Sequence, residues 1–414
     1  MDSIVELARD ILRNAELIDG ATHQDASVPT SDAIPALEVD KARTELLNAT
    51  HKLRLRVQSP EAYMFEMMWS VTDVLTLKLI YSLRLPHHVP LAGSISYHSI
   101  ARSVGVNIDI LTRLFRYSIT IGFFTEPSTD YVAHSDTTRM LTTNADAFDA
   151  MGMILNELGP ATDHFPEALG RFAGSEEPNK TAYNIANSTE LGIYDFLAEN
   201  PERGRRFGGA MRFFTGGEGL HTQHLMDSFP WTSDDHDRDD FVVVDVGGGH
   251  GSVSMKLAGA TKHMRFIVQD KEGEIQEGRR LLPTQLKSRI DFTVHDFFTP
   301  QTAKGADVYF FRWIFHNWSD KYCIQILRSL VPALKKGARI MVYEHVMEDG
   351  VDLLLSKKRE RYLDLFMMCA YNSRERTETD WKKLFGAADG RFIFQGATTL
   401  PGASLSLIEA VWKG

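Results

Sequence analysis

The run Phe241-Val-Val-Val-Asp-Val-Gly-Gly-Gly-His-Gly251 carries the densest chemistry in this chain. Val242 to Val244 are consecutive and β-branched, as a strand buried on both faces requires. Asp245, Gly247, Gly248 and Gly249 end that strand, and Ser252 to Leu257 resumes at helical spacing. A strand that turns through glycines into a helix offers bare backbone N–H groups to a ligand near the helix N-terminus. Nineteen positions after Gly251 stands Asp270, closing Phe266-Ile-Val-Gln-Asp270. An acid at the tip of the second strand, about 20 residues on, suits a ribose diol. The pair reads as a nucleoside site. The competing reading is a glycine-rich turn with no ligand.

The glycine spacing bears on which nucleoside. A dinucleotide fingerprint is GxGxxG, whose last glycine lets helix and strand pack closely. Here glycines occupy 247, 248, 249 and 251, and Ser252 stands where the third would be. The resulting GxGxG suits a ligand without a pyrophosphate, such as S-adenosylmethionine, over a nicotinamide or flavin dinucleotide.

The elements around this turn follow from the rest of the chain. At 414 residues, two domains are expected. A net charge of −10 argues against non-specific binding to nucleic acid or acidic membranes. The two cysteines, Cys323 and Cys369, form no CxxC, so neither a disulfide framework nor a cysteine zinc site is indicated. No secretory signal is visible at Met1-Asp-Ser-Ile-Val-Glu, and no stretch approaches the roughly 20 apolar residues of a membrane helix. A cytoplasmic protein is expected. HExxH, GxSxG and P-loop motifs are missing from the sequence, and no metal is expected.

Ile4 to Leu17 predicts an amphipathic helix, Asp19 to Pro35 a flexible connection, and Leu37 to Val57 a second helix. Pro60 to Leu85 is apolar beyond the need of one core face, through Met64, Phe65, Met67, Met68, Trp69, Val71, Val74, Leu75 and Leu77. Such a helix is buried on several sides or lies against another subunit. Ser96 to Arg116 has a helix-turn-helix rhythm about Gly105, followed by a hairpin through Phe123-Phe124 and Tyr131-Val132-Ala133. A winged helix is expected. Its second helix offers only Arg113 and Arg116 as cations, too few for a DNA-binding regulator. Residues 145 to 225 read as helical, and Ser228 to Asp240 as a hinge. Strands are expected at Val242–Val246, Arg265–Val268, Asp291–Val294, Val308–Arg312, Arg339–His345, Arg391–Gln395 and Leu405–Val411. Helices separate the first five, so the sheet is mainly parallel; the last two form an antiparallel hairpin.

From about Pro60 onward the chain resembles the small-molecule, S-adenosylmethionine-dependent O-methyltransferases of plant and fungal secondary metabolism. Val243 to Gly251 resembles their glycine motif, and Gln269-Asp270 their ribose-binding acid. His295-Asp296-Phe297-Phe298 resembles the motif whose Asp lies by the adenine. Arg312-Trp-Ile-Phe-His316-Asn-Trp-Ser-Asp320 resembles the segment presenting the catalytic histidine, and Glu375-Arg-Thr377 a late motif ending in ERT. The resemblance implies a Rossmann-like α/β methyltransferase fold with a helical, winged-helix N-terminal dimerisation domain. Its expected divisions are 1–140 for dimerisation, 141–240 as a helical connection contributing to the substrate pocket, and 241–414 for catalysis. It also implies a homodimer and a small-molecule substrate. One departure stands out: the family usually has an acid after the catalytic histidine, and here it is Asn317.

Methyl transfer from a sulfonium is an in-line displacement by a dehydrated oxygen. A phenol has a pKa of about 10, so a base with a pKa near 6.5 must take its proton as the bond forms. His316 follows the fourth strand at the carboxyl edge, where ligands lie in open α/β sheets. By itself it reads sooner as a histidine that caps the next helix or packs beside Trp313 and Trp318; the family motif reverses that order and makes it the expected base. By resemblance, Glu344 or Glu375 would fix its tautomer. Asp296 is expected to be a buried acid at a strand end, serving the adenine or the ligand amine. Arg312 and Phe297 complete the cofactor set. His134, Met153, Phe214 and His295 are candidates for substrate contact. Two functions remain open. One is methylation of a hydroxyl on a polyketide-like or aromatic metabolite. The other is a pericyclase or dehydratase-type reaction that keeps the cofactor for its charge and draws on His134, His295, Asp296 and Arg312.

Overall fold

The computed structural model describes residues 2–22, 36–217 and 219–414. These form two compact units. The first takes the chain start to Ile11, Ala49–Glu167 and Ala182–Gly216; the second takes Leu12–Asn48, Ala168–Thr181 and Gly217–Gly414.

Three short strands belong to the first unit: β1 (Ile95–Ser96), β2 (Thr125–Ser128) and β3 (Tyr131–Ala133). Seven strands of the second build one sheet: β4 (Val242–Val246), β5 (Arg265–Asp270), β6 (Ile290–Val294), β7 (Val308–Arg312), β8 (Arg339–Glu344), β11 (Phe392–Thr399) and β12 (Ser406–Trp412). Two further strands, β9 (Val346–Met347) and β10 (Arg376–Thr377), pair in parallel beside it. The order across the sheet is β11-β12-β8-β7-β4-β5-β6. The first five strands are parallel and β12 is antiparallel to both neighbours.

Alternation along the central strands feeds two cores. Val243, Val308 and Phe310 pack with Phe266, Val268 and Met341 on one face. Val244, Val246, Tyr309 and Phe311 pack with Ile326, Leu327 and Trp381 on the other. Successive side chains of a strand point to opposite faces, so a central strand covered on both sides must be apolar throughout. From β4 the chain builds outward through β5 and β6, then crosses to β7 and β8 on the other side. The carboxyl ends of β4 and β7 therefore flank the switch point, where a doubly wound sheet opens a crevice.

The first unit contains the expected winged helix. Helices Tyr97–Val104 and Ile108–Thr120 meet at Gly105, whose φ of +69° gives the left-handed cap. Tyr97 stacks on Phe115 at 5.0 Å, and Phe115 meets Phe124 edge-on at 5.3 Å. The hairpin uses Thr125–Ser128, directly after Phe123-Phe124, because Phe123 and Phe124 are drawn into this core.

Several expectations need correction. The first helix runs Ile4–Thr22, so Asp19 to Thr22 is helical; the rest of the expected connection, 23–35, lies outside the described residues. The apolar stretch after Pro60 is two helices, Pro60–Trp69 and Val71–Ser82, interrupted at Ser70. Hydroxyls bonding back to carbonyls mark the break: Ser70 Oγ donates to Met67 O and Thr72 Oγ1 to Trp69 O, both at 2.7 Å. The expected hinge at 228–240 is pinned to the second unit. Phe229 and Trp231 are buried in its core, and Asp237 accepts the backbone N–H groups of Lys262, His263 and Met264.

Candidate active site

The glycine turn is built as much by the protein's own packing as for a ligand. A Cβ on Gly247 would lie 2.5 Å from Ile314 Cδ1, and one on Gly248 would lie 2.6 Å from Asp245 Cγ. At Gly249 the nearest atom would be Glu274 Oε2 at 3.8 Å, an ordinary contact with the end of a side chain, so here the packing leaves the face open. Gly249 has φ +58°. Its N–H donates to Asp270 Oδ2 at 2.8 Å, and Lys271 N–H donates to Oδ1 at 2.7 Å. The parallel register of β4 and β5 thus brings the ribose-type acid directly beside the turn. Asp245 is buried beneath it and accepts the Ser254 hydroxyl at 2.6 Å. Burial pushes its carboxyl up to about 6; the nearby Asp270 charge adds to this, while Ser254 and Arg312 oppose it.

Asp296 corrects an expectation: it is exposed. The edge strand β6 stops at Val294, and the Asp296 carboxylate accepts Phe298 N–H at 3.0 Å, closing the turn that follows. Phe297 is half-buried, its ring 4.9 Å from Phe298 and 6.1 Å from Trp318. His295 N–H donates to Asp270 O at 3.1 Å, and burial holds its imidazole below the ordinary range. Arg312, at the end of β7, donates to Leu220 O at 3.3 Å; burial lowers its pKa, with Tyr343 and Asp245 opposing. Tyr343 is its register partner on β8.

Among the described residues, the buried polar atoms with no hydrogen-bond partner include His295 Nε2, Arg312 Nε, Trp313 Nε1 and Tyr343 Oη, and also Glu375 Oε2. Buried polar groups are almost always satisfied. With the open face of Gly249 and the Asp270 carboxylate, the first four fit a polar nucleoside ligand.

His316 sits in the short turn Phe315–Asn317 that follows β7. Just before it Trp313 takes φ +58°, a left-handed conformation that a bulky residue holds only where its surroundings enforce it. Glu344 provides that enforcement. Its Oε1 accepts the N–H groups of Ile314 and Phe315 at 2.7 and 2.6 Å, and its Oε2 that of His316 at 3.1 Å. The expectation left both carboxylates open as ring partners, and the structure separates them. Glu344 holds the backbone; Glu375 Oε1 lies 2.9 Å from His316 Nδ1. The β9–β10 ladder, in which Arg376 pairs with Val346, joins the segments that carry the two acids. Burial disfavours a charged His316, but the charge and hydrogen bond of Glu375, aided by Glu344, outweigh it and raise the pKa above its ordinary value. Asn317 Nδ2 donates to Trp313 O at 2.9 Å, so it serves the turn and not the ring.

Sequence reasoning missed two members of this turn. Ser373 Oγ donates to His316 O at 2.5 Å, and buried Arg376 donates to Phe315 O and Trp318 O. Arg376 lies inside the ERT motif, and its place directly after Glu375 was the available signal.

The remaining candidates belong to the first unit. His134 is buried, with Nδ1 3.1 Å from Thr138 Oγ1 and Nε2 3.1 Å from Val89 O. Met153 is buried at the end of helix Ala145–Met153. Phe214 is exposed and packs edge-on against Phe213.

Comparison with known proteins identifies the family. Residues 235–390 match the family model for an O-methyltransferase domain. An O-methyltransferase of Alternaria alternata, AMT9, is 34% identical over 99% of this chain and 98% of its own. The chlorophenol O-methyltransferase of Trichoderma longibrachiatum is 33% identical over 95% of this chain and 85% of its own. Among solved structures, one described as a pericyclic reaction enzyme has a TM-score of 0.75 at 22% identity, covering 98% of this chain and 100% of its own, and shows the same fold. The fold and site define the class of S-adenosylmethionine-dependent methyltransferases. Within that class, this chain belongs to the O-methyltransferase family.

Proposed function

We propose that this protein transfers a methyl group from S-adenosylmethionine to a hydroxyl of a polyketide-like or aromatic secondary metabolite, with His316 as general base. One observation carries the reading: a buried imidazole has Nδ1 on the Glu375 carboxylate, 2.9 Å away, at the carboxyl edge beside the glycine turn. S-adenosylmethionine, when bound, supplies an electrophilic methyl group on a sulfonium. The backbone of Gly247, Gly248 and Gly249 and the Asp270 carboxylate would hold it, with Asp245 supporting the turn from below. Asp296 and Phe297 would meet the adenine, and Arg312 the polar end. His316 Nε2 takes the hydroxyl proton; Nδ1–H stays on Glu375, which stabilises the imidazolium while remaining ionised. The relative that methylates a chlorophenol supports a phenolic acceptor. His134, Met153, Phe214 and His295 stay as candidates for its contacts.

The pericyclase reading has a structural neighbour. It draws on His134, whose ring nitrogens are both engaged within the first unit, and it leaves the His316–Glu375 pair without a task. Methyl transfer is favoured. We further place residues 1–140 in a homodimer contact, 141–240 in acceptor binding and 241–414 in catalysis. Cys323 and Cys369 are both free and buried, which suits a cytoplasmic setting; no described helix is long and apolar enough to cross a membrane.

The test uses labelled S-adenosylmethionine with a chlorophenol and with a crude metabolite pool. Label in product together with S-adenosylhomocysteine is expected, and His316→Ala should slow it about 10²- to 10⁴-fold, the usual worth of a general base. A near-normal rate would remove His316 from the mechanism. Tight cofactor binding with substrate isomerisation and no label transfer would replace methylation by the pericyclic reading.

A further inference from the structure

Arg376 has no place in the reaction as described, yet it is among the most deeply buried side chains, about 1% exposed. Its guanidinium spans the histidine turn. Nη1 donates to Phe315 O at 3.0 Å and Nη2 to Trp318 O at 2.9 Å, the carbonyls on either side of His316-Asn317. Nε and Nη2 also donate to Asp320 Oδ1 at 3.0 and 2.7 Å, and Nη2 approaches Cys323 Sγ at 3.2 Å. The guanidinium lies 5.7 Å from the Trp381 ring. Well-packed apolar side chains would fill such a site at no desolvation cost. What they cannot do is hold two carbonyls at a fixed separation, which a planar fork does and a lysine ammonium does not. Together with Glu344 on the amides and Ser373 on the His316 carbonyl, Arg376 leaves the turn little freedom.

We propose that Arg376 is a positioning residue: its fork fixes the carbonyls flanking His316, so that the ring presents Nε2 at one angle while Glu375 holds Nδ1. This rests on His316 being the base. The charged groups acting on the ring are Glu375, Glu344 and Arg376; Asp320 is paired with Arg376 and Arg374, and Asp364 accepts Glu375 N–H.

The full chain is assayed with labelled S-adenosylmethionine and a chlorophenol probe, and the His316 Nδ1–H is followed as the downfield proton resonance that disappears in H316Q. Arg376→Lys should lower kcat about 10²-fold, as a misplacement of about 1 Å does, with cofactor affinity and the chlorophenol KM nearly unchanged. The resonance should shift or broaden. In an H316Q background the same substitution should change the residual rate less than about twofold, because two residues acting through one group are not additive. An equal loss in both backgrounds, or an R376K protein with wild-type kcat and resonance, overturns the proposal. Asp320→Asn loosens the same fork from its partly exposed side and serves if R376K does not fold. It should shift the resonance with a smaller rate loss, and an unmoved resonance overturns the proposal. Should H316Q itself keep the wild-type rate, the general-base reading fails, while the resonance still reports on Arg376.

Discussion

His316 must be neutral to accept a proton, yet its surroundings favour the cation. Its pKa lies above the ordinary value because Glu375 and Glu344 outweigh burial. The acid limb of kcat should therefore fall above about pH 6.5, with activity lost as pH drops through the raised pKa. Stability has the opposite sign: the contribution of the His316–Glu375 pair is complete below the unfolded pKa and is lost as pH rises through the folded one. Glu375→Gln removes the main raising charge and keeps the burial, so its acid limb should move to lower pH while kcat drops at least about tenfold. A rate–pH profile from pH 5 to 9 tests both; an unmoved limb would separate Glu375 from the base. Asp245 makes the complementary case. Its carboxyl is raised from 3.8 to about 6, so the folded state loses stability as pH rises through that interval. Asp245→Asn should remove the slope and stabilise the protein at pH 8 by up to about 3 kcal/mol, little of which appears at pH 4, in denaturant titrations.

Short elements hold this site, and each is tied at its ends. The glycine turn combines positive φ with an open face at residue 249. Gly249→Val places a branched side chain in a left-handed conformation and against the backbone a ligand would touch. Calorimetry should show no measurable S-adenosylmethionine binding, and retained affinity would move the cofactor elsewhere. A second tie comes from the stretch Ala168–Thr181, which packs with the second unit. Glu176 O accepts Ser319 Oγ at 3.0 Å, Glu177 Oε2 accepts Tyr322 Oη at 2.6 Å, and Asn372 Nδ2 donates to Glu177 O and Lys180 O. Asn372 ends helix Leu355–Tyr371 at φ +51°. Asn372→Gly keeps that conformation and deletes both hydrogen bonds, so it should cost about 1–3 kcal/mol of unfolding free energy and slow turnover through the His316 turn. An unchanged denaturation midpoint would show that the stretch is not anchored there.

At the scale of the molecule, a run of exposed apolar side chains stands out among the described residues, on helices Pro60–Trp69 and Val71–Ser82. Met64, Phe65, Met67, Met68, Trp69, Val71, Val74 and Leu75 are all exposed, from 45% for Met67 to 65% for Val71. Contiguous exposure of this kind marks an interaction surface, and our reading assigns it to a second copy of the chain. Replacing Met68 and Trp69 together by Glu should give a monomer by light scattering at micromolar concentration. A wild-type chain that is itself a monomer, or a variant that keeps the wild-type mass, would remove this surface from any contact between copies.

Sequence alone determined the parts that local chemistry dictates. Val242 to Val244, the glycines and Asp270 specified a strand, a bare turn and an acid because side-chain period and left-handed φ are local properties. Of the five parallel strands, two have the expected bounds and three needed only an end residue or two adjusted, since a parallel sheet covered on both faces announces itself as apolar runs. The roles within the histidine site were decided by tertiary structure. Glu344, Ser373, Glu375 and Arg376 stand 28 to 61 residues from the atoms they hold, and only the β9–β10 ladder and the sheet register assign one acid to the amides and the other to the ring. Asp296 shows the converse: a sequence position at a strand end does not say whether that strand lies inside the sheet or at its edge, and an edge leaves its terminal acid in water.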